Sequence, residues 1–441
     1  VIGVLVLGAI GGGAYALKMS GGRHAARGEK LMAEGNFEDA YKAYSRAVNK
    51  DQTNVEWLSA YRDLARKTTP STREELEKRY RLYLGTLRNL AVAQPTNPEA
   101  LMEFLNERHT RLEISGWNSD SNKEFIGECE SMPRMIRDQV IDRVTGEYRP
   151  DADPEARAAI EKIDWYMAQA GLELARRTQV ENFDREKNRE ALEKVVANHP
   201  ENIEAQVYLG MWHIQEADHF YSQGLKQQEN EERTKAASIF SDILAQHPDD
   251  LFAHLMDLAR RQADIGRTVT EPGARRRAVE GLAPQAEKAL AVFNNMAPEN
   301  INLQLMEASR TMLPRVLGMD ASTQMLETAE RVAIKKADDP WIALTYARLL
   351  MDAEQFEKAV SVLDGVLNQP RMSVSLAAIL QPMAQVSAFA ERVDASLFAA
   401  ERSDDREAWI ERADGYMKEF EAAASADNTV SVKLRRAKVA M

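Results

Sequence analysis

The residues of this 441-residue chain best suited to chemistry are seven histidines and one cysteine. Metal-type ligands stand close together in His213-Ile214-Gln215-Glu216-Ala217-Asp218-His219. On a helix His213 and Glu216 share a face, but His219 lies about 240° round from His213. The H-E-x-x-H spacing that sets two histidines on one face is absent, so the run reads as polar positions of an amphipathic helix. Cys129 with His109 or His199 would make a nucleophile and its base. Nothing in the sequence brings them together, and a lone buried thiol is the simpler reading. One cysteine forms neither an internal disulfide nor a zinc site. Phosphate-loop, dinucleotide-loop and nucleophile-elbow patterns are absent. Carboxylate pairs occur along every helix and so identify no acid–base pair. The sequence therefore predicts no catalytic residue, no cofactor and no metal. Arg275-Arg276-Arg277, after Pro272-Gly273, could meet an acidic partner or lipid head groups, but reads first as a solvated helix start.

With no chemistry indicated, the elements themselves carry the reading. The chain has 57 basic and 69 acidic residues, a net charge of −12, with only 22 glycines and 15 prolines. Straight-chain residues dominate, which favours helix over strand. The signs are mixed along the chain, as on solvated helix faces, and the acidic balance argues against nucleic acid. The length calls for two or three domains or one repeat array.

The clearest pattern lies in Gly28 to Asn54. Gly28 and Ala40 are small residues twelve apart, placed where two helices approach closely. Gly35-Asn36 closes a turn, Phe37 plugs the pair, and Tyr44 and Ala47 continue the buried stripe. Pro340 to Pro370 repeats it: Ala347 and Ala359 are again twelve apart, and Gln355-Phe356-Glu357-Lys358-Ala359 matches Asn36-Phe37-Glu38-Asp39-Ala40. Between them, helix-ending prolines at 200, 248, 298 and 340 are spaced 48, 50 and 42 apart, a solenoid-like period. Asn202, Asp250, Asn300 and Asp339 are candidate caps beside them. Gly210 and Ala236 hold the two small positions 26 apart, so either both helices there are longer or a loop over 222–232 projects.

These residues resemble the tetratricopeptide family. Gln52 departs from its helix-ending proline. His24 replaces its usual large aromatic, so the first helix is poorly packed or takes a neighbour's side chain. The resemblance implies an all-α, right-handed helical-hairpin solenoid that binds protein partners, a peptide or a helix, in a concave groove. In the family one side of each first helix lines that groove, which by register makes Val207, Met211 and Ile214 the partner-groove candidates.

Residues 1–17 carry no charge and no strongly polar side chain. A single membrane-spanning helix is the leading expectation. A cleaved signal with Ala14-Tyr15-Ala16 as its small-x-small site and a buried core helix are the alternatives. Gly8 and Gly12 form a G-x-x-x-G spacing able to pack on a partner's membrane helix. The expected organisation is an anchor over 1–20, repeats over 21–98, an irregular joint over 99–154, extended repeats over 155–372 and C-terminal helices over 373–441. The last segment, from Val430, looks like a fresh first helix that could continue past Met441. The function expected is a membrane-anchored scaffold, its bulk outside the cytoplasm, that recruits partner proteins without catalysis. An accessory subunit of a membrane enzyme or export complex, or the regulatory part of a larger enzyme, are the alternatives.

Overall fold

A computed structural model describes residues 20–115, 119–175, 185–369, 376–423 and 429–440. Among these the chain is helical apart from turns and one isolated antiparallel bridge, Ile141 to Tyr148. It divides into two units. The first holds the described residues through His199 and the helical residues 376–379; the second holds 200–369 and the described residues from 380 onward.

In the first unit α1 covers 20–33. It is followed by α2 (Phe37–Val48), α3 (Val55–Lys67), α4 (Arg73–Ala93), α5 (Pro98–Ser115), α6 (Ser119–Ser131), α7 (Arg134–Val140), α8 (Pro154–Ala175) and α9 (Arg185–Asn198). Helices α2 to α5 pack each on the next, while α5, α6, α7 and α9 all pack on α8. Gly28 is required by close approach: a Cβ there would stand 2.6 Å from the Tyr44 ring. The Trp57 ring of α3 fills the space over Gly21, where a Cβ would come within 2.7 Å of it. The first helix thus takes a neighbour's side chain. Ala40, Tyr44 and Ala47 are buried, as their stripe requires. Phe37 differs from expectation. It opens α2 one turn ahead of the buried face and stays 40% exposed, with Lys67 Nζ 5.8 Å from its ring centre.

The caps explain where the helices begin. Asn54, Asn202, Asp250 and Asp339 each accept a backbone N–H from the first turn of the helix they precede, which satisfies one otherwise orphaned donor. Thr72 accepts the Glu75 N–H at 3.2 Å, while the Glu75 carboxylate reaches back to the Ser71 N–H at 2.9 Å. The reciprocal bond therefore closes one residue earlier than a standard capping box. After Pro298 the cap is Asn302 rather than Asn300, because Pro298–Asn300 forms a 3₁₀ turn first. Within 99–154, α5 and α6 are ordinary helices. The irregular part is α7 and the bridged turn at Gly146 (φ +73°).

The second unit begins with α10 (Ile203–Ser222) and α11 (Lys226–Gln246), followed by α12 (Leu251–Thr268), α13 (Pro272–Glu280) and α14 (Ala283–Asn295). Then come α15 (Leu303–Leu317), α16 (Met319–Lys335), α17 (Pro340–Asp352), α18 (Phe356–Leu367), α19 (Leu376–Arg402), α20 (Arg406–Ala423) and α21 (Thr429–Ala440). The pairs are α10/α11, α12/α14, α15/α16 and α17/α18. First helices also stack on first helices, α10 on α12, α12 on α15 and α15 on α17, and α14 stacks on α16. That alternation makes a solenoid of hairpins. The extra length of the first pair lies in both helices, which are joined only by Gln223-Gly224-Leu225. Gly210 and Ala236 still mark the close approach, since a Cβ on Gly210 would lie 2.9 Å from Phe240.

The expected membrane anchor requires correction. Among the described residues no helix is long and apolar enough to cross a membrane. The long helices are interrupted by charge: α8 carries Glu155, Arg157, Glu161, Lys162 and Asp164, and α19 carries Glu391, Arg392 and Asp394. Burying such charges in hydrocarbon is costly. Residues 1–19, with Gly8 and Gly12, lie outside the described residues. The single-pass localisation, and the extracytoplasmic placement built on it, is withdrawn.

Candidate functional site

Three first helices of the first unit, α3, α5 and α8, line an open groove of about 590 Å³. The register of each is set locally. Asn97 caps α5 by accepting the N–H groups of Glu99 and Ala100. Glu99, Met102, Glu103 and Asn106 then fall at i, i+3, i+4 and i+7, one helical face. Asp153 accepts the Glu155 N–H at 3.1 Å at the start of α8, and Glu155, Ala158, Ala159 and Lys162 repeat the same spacing. Arg62 and Arg66 add an i, i+4 pair from α3. All ten line the groove.

Polar contacts hold the three helices in place. Arg62 donates to one Glu103 oxygen at 2.8 Å and Arg66 to the other at 2.7 Å. Arg66 also donates to the Tyr83 hydroxyl at 2.8 Å. Across the groove the Tyr166 hydroxyl of α8 donates to the Asn106 side-chain oxygen at 2.7 Å. Small and flexible side chains, Ala158, Ala159 and Met102, make the apolar part. Such a surface can take an extended polypeptide, with hydrogen bonds for its backbone and room for alternate side chains.

The second unit has a related but more buried arrangement. Arg348 of α17 donates to Glu307 of α15 at 2.7 Å and to Glu391 of α19 at 2.7 Å. Burial pushes the Glu391 carboxyl up against the pull of Arg348. Burial acts on Glu307 in the same sense, but Arg310, Thr345 and Arg348 outweigh it and hold that carboxyl below its usual range. The three residues are 41 and 43 apart, close to one repeat, a signal that repeat alignment could have found.

The residues singled out from sequence fall as follows. Val207 is fully buried with Phe240, Ile243 and Ala253, so its side chain offers no surface to a partner; Met211 and Ile214 are half-buried against the same cluster. His213 is buried and bonded through Nδ1 to Glu232 at 2.5 Å, with Lys235 on the same carboxylate at 2.6 Å. Burial acts to raise the Glu232 carboxyl, but Lys235 and His213 overcome it and the net shift is downward. His219 bonds Gln223 at the surface. Among the described residues no group of three or more His, Cys, Asp or Glu is placed to hold a metal ion. Cys129 is buried, and burial pushes its thiol well above the usual range. His109 sits on the Tyr166 ring, centroids 4.0 Å apart, and bonds Gln169 at 2.6 Å. Its burial lowers the imidazole to about 4. His199 instead faces Glu161 at 3.6 Å. Arg275, Arg276 and Arg277 are exposed on the short helix α13.

No protein-family profile matches the chain, and no curated protein matches it. Solved structures similar to it include yeast Tom70, at 11% identity and a TM-score of 0.24, covering 89% of this chain and 97% of that one. Naa15/Naa10 bound to HypK aligns at 13% identity and 0.25, covering 94% and 69%. The tetratricopeptide domain of P58(IPK) aligns at 14% and 0.19, covering 83% and 99%. Scores of that size carry no argument, and the hairpin-repeat description rests on the helix packing above.

Proposed function

We propose that the chain is a protein-interaction scaffold that holds an extended segment of a partner in the α3/α5/α8 groove. One observation carries this reading. Three successive first helices present one continuous face, each at i, i+3, i+4 or i+7 spacing, around an open cavity of about 590 Å³. Its polar groups are tied to one another across helices, so the groove is rigid before a ligand arrives and the ordering cost of binding falls on the peptide. Binding of this kind needs no reacting group.

The test compares proteins co-purified with the full chain and with an Ala158→Arg variant, quantified by mass spectrometry. Ala158 is exposed, so the added side chain obstructs the groove without disturbing a core. A stoichiometric partner should be retained by the parent chain and fall about tenfold with the variant, the loss of about 1.4 kcal/mol. Identical partner sets for both proteins would sink the reading.

A further inference from the structure

A second cavity lies wholly in the second unit, where the C-terminal ends of α15, α17 and α19 meet the turns that follow α15 and α17. It measures about 550 Å³ and runs alongside another of about 510 Å³ that shares Glu354, Phe356 and Arg402. Three features set it apart.

The first is backbone strain. Glu354 has φ +58°, the only positive φ of a non-glycine residue among those described. The turn before α2 has Gly35 at the same place and the turn before α11 has Gly224, both at φ +74°. All three turns close with the same two backbone bonds. In the third, Glu354 N–H bonds Met351 O at 3.0 Å and Gln355 N–H bonds Leu350 O at 2.8 Å. Glycine would adopt this conformation without strain; glutamate does not. The carboxylate held there accepts from Arg402 at 2.7 Å and lines both cavities.

The second feature is an unsatisfied hydroxyl. Ser322 is 1% exposed and lines the groove, yet its Oγ has no hydrogen-bond partner among the described residues. Buried hydroxyls are nearly always bonded. Nearby, Pro314 sits inside α15 and has no N–H, so the Arg310 carbonyl one turn back lacks its helical donor.

The third feature is charge. Arg310 bonds Asp352 at 2.9 Å and Arg402 bonds Glu354, so those pairs are closed. Arg315 is exposed, lines the groove, and has no anionic partner among the described residues. Around it the wall is apolar: Met319 and Phe398 are exposed, and Met351 and Phe356 are half-buried.

We propose that this groove is a second peptide site, and that it takes a linear segment with one acidic side chain beside a bulky apolar one. The acid pairs with Arg315, the apolar side chain rests among Met319, Phe356 and Phe398, and a peptide carbonyl accepts the Ser322 O–H. The site is separate in residues from the α3/α5/α8 groove, so either reading can fail alone.

The probe is an array of defined nonamer peptides on which the full chain is tested. Each carries one Asp or Glu near a Leu, Met, Phe or Trp, and is matched to a copy with Asn or Gln in place of the acid. The best acid and amide pair is then measured by fluorescence anisotropy. The acid peptide should bind about tenfold more tightly than its amide copy, as expected for one charge-assisted pair. Arg315→Ala should erase that preference. Ser322→Ala should weaken the acid peptide severalfold with no loss of the free chain's thermal stability, because the hydroxyl has no partner to lose. Equal binding of acid and amide, a preference that survives Arg315→Ala, or no binding to any peptide would overturn the proposal. A fall in stability with Ser322→Ala would do the same, since the hydroxyl would then have an internal role.

Discussion

Both units tie one first helix to the next with arginine and glutamate, but with opposite stoichiometry. In the first, two arginines, Arg62 and Arg66, share the single carboxylate of Glu103. In the second, the single guanidinium of Arg348 serves two carboxylates, Glu307 and Glu391. The surroundings differ less than the count: side-chain exposure runs from 20% to 49% over Glu103, Arg62 and Arg66, and from 12% to 29% over Glu391, Glu307 and Arg348. The first arrangement borders an open groove; the second acts as an internal clamp. In both units an arginine–glutamate contact thus ties successive first helices together, beside an open cavity in the first and within the helix stack in the second.

Removing the shared partner should separate the two cases most strongly. Arg348→Ala leaves two carboxylates facing each other in a partly buried site and should cost about 3–5 kcal/mol by urea denaturation. Glu103→Ala leaves two better solvated arginines and should cost about 1 kcal/mol or less. Equal losses would end the distinction.

Acid should then soften the first unit in particular. Burial holds His109 at about 4, below its ordinary 6.5. A depressed histidine contributes stability above its unfolded value, and this is lost as the pH falls from about 6.5 toward 4. The loss is on the order of 3 kcal/mol. Glu391, raised by burial, acts in the opposite sense, because the folded chain takes up its proton more readily as the pH falls. Hydrogen exchange at pH 7 and pH 5, corrected for intrinsic rates, should show α5 and α8 losing protection before α15 and α17. A His109→Gln variant should remove the difference. Uniform loss across both units would contradict the assignment.

The smallest effect concerns the matched turns. Glu354→Gly should raise stability by about 0.5 kcal/mol, since relief of the left-handed conformation outweighs one exposed ion pair. Gly35→Ala should lower it by about 1 kcal/mol. Paired thermal melts check both signs, and a stability loss with Glu354→Gly would refute the strain reading.

Much of the helix pattern was legible in the chain because its causes are local. Asn202, Asp250 and Asp339, read as caps from the prolines beside them, each accept a first-turn N–H of the helix they precede. The Gly28 and Ala40 pair, like Ala347 and Ala359, reports helix approach through missing volume. The sites were less legible. Val207 fits a groove by register, but α11 and α12 cover it, and a one-dimensional period does not say which stripe faces a neighbour. The α3/α5/α8 face was written in its i, i+3, i+4, i+7 spacings, yet those spacings look the same on any solvated helix.

By itself, then, the sequence determined the close-approach positions and the caps at Asn202, Asp250 and Asp339, though not the one after Pro298, because these depend on residues within one or two turns of each other. Only the tertiary structure decided the rest. It set the length of the α10/α11 pair against a projecting loop and sent Phe37 to the surface. It brought Glu307, Arg348 and Glu391 together across repeats. Among the described residues it also left Ser322 without a partner and Arg315 without an anion. Burial and pairing are properties of what folds over a residue, and no local pattern records them.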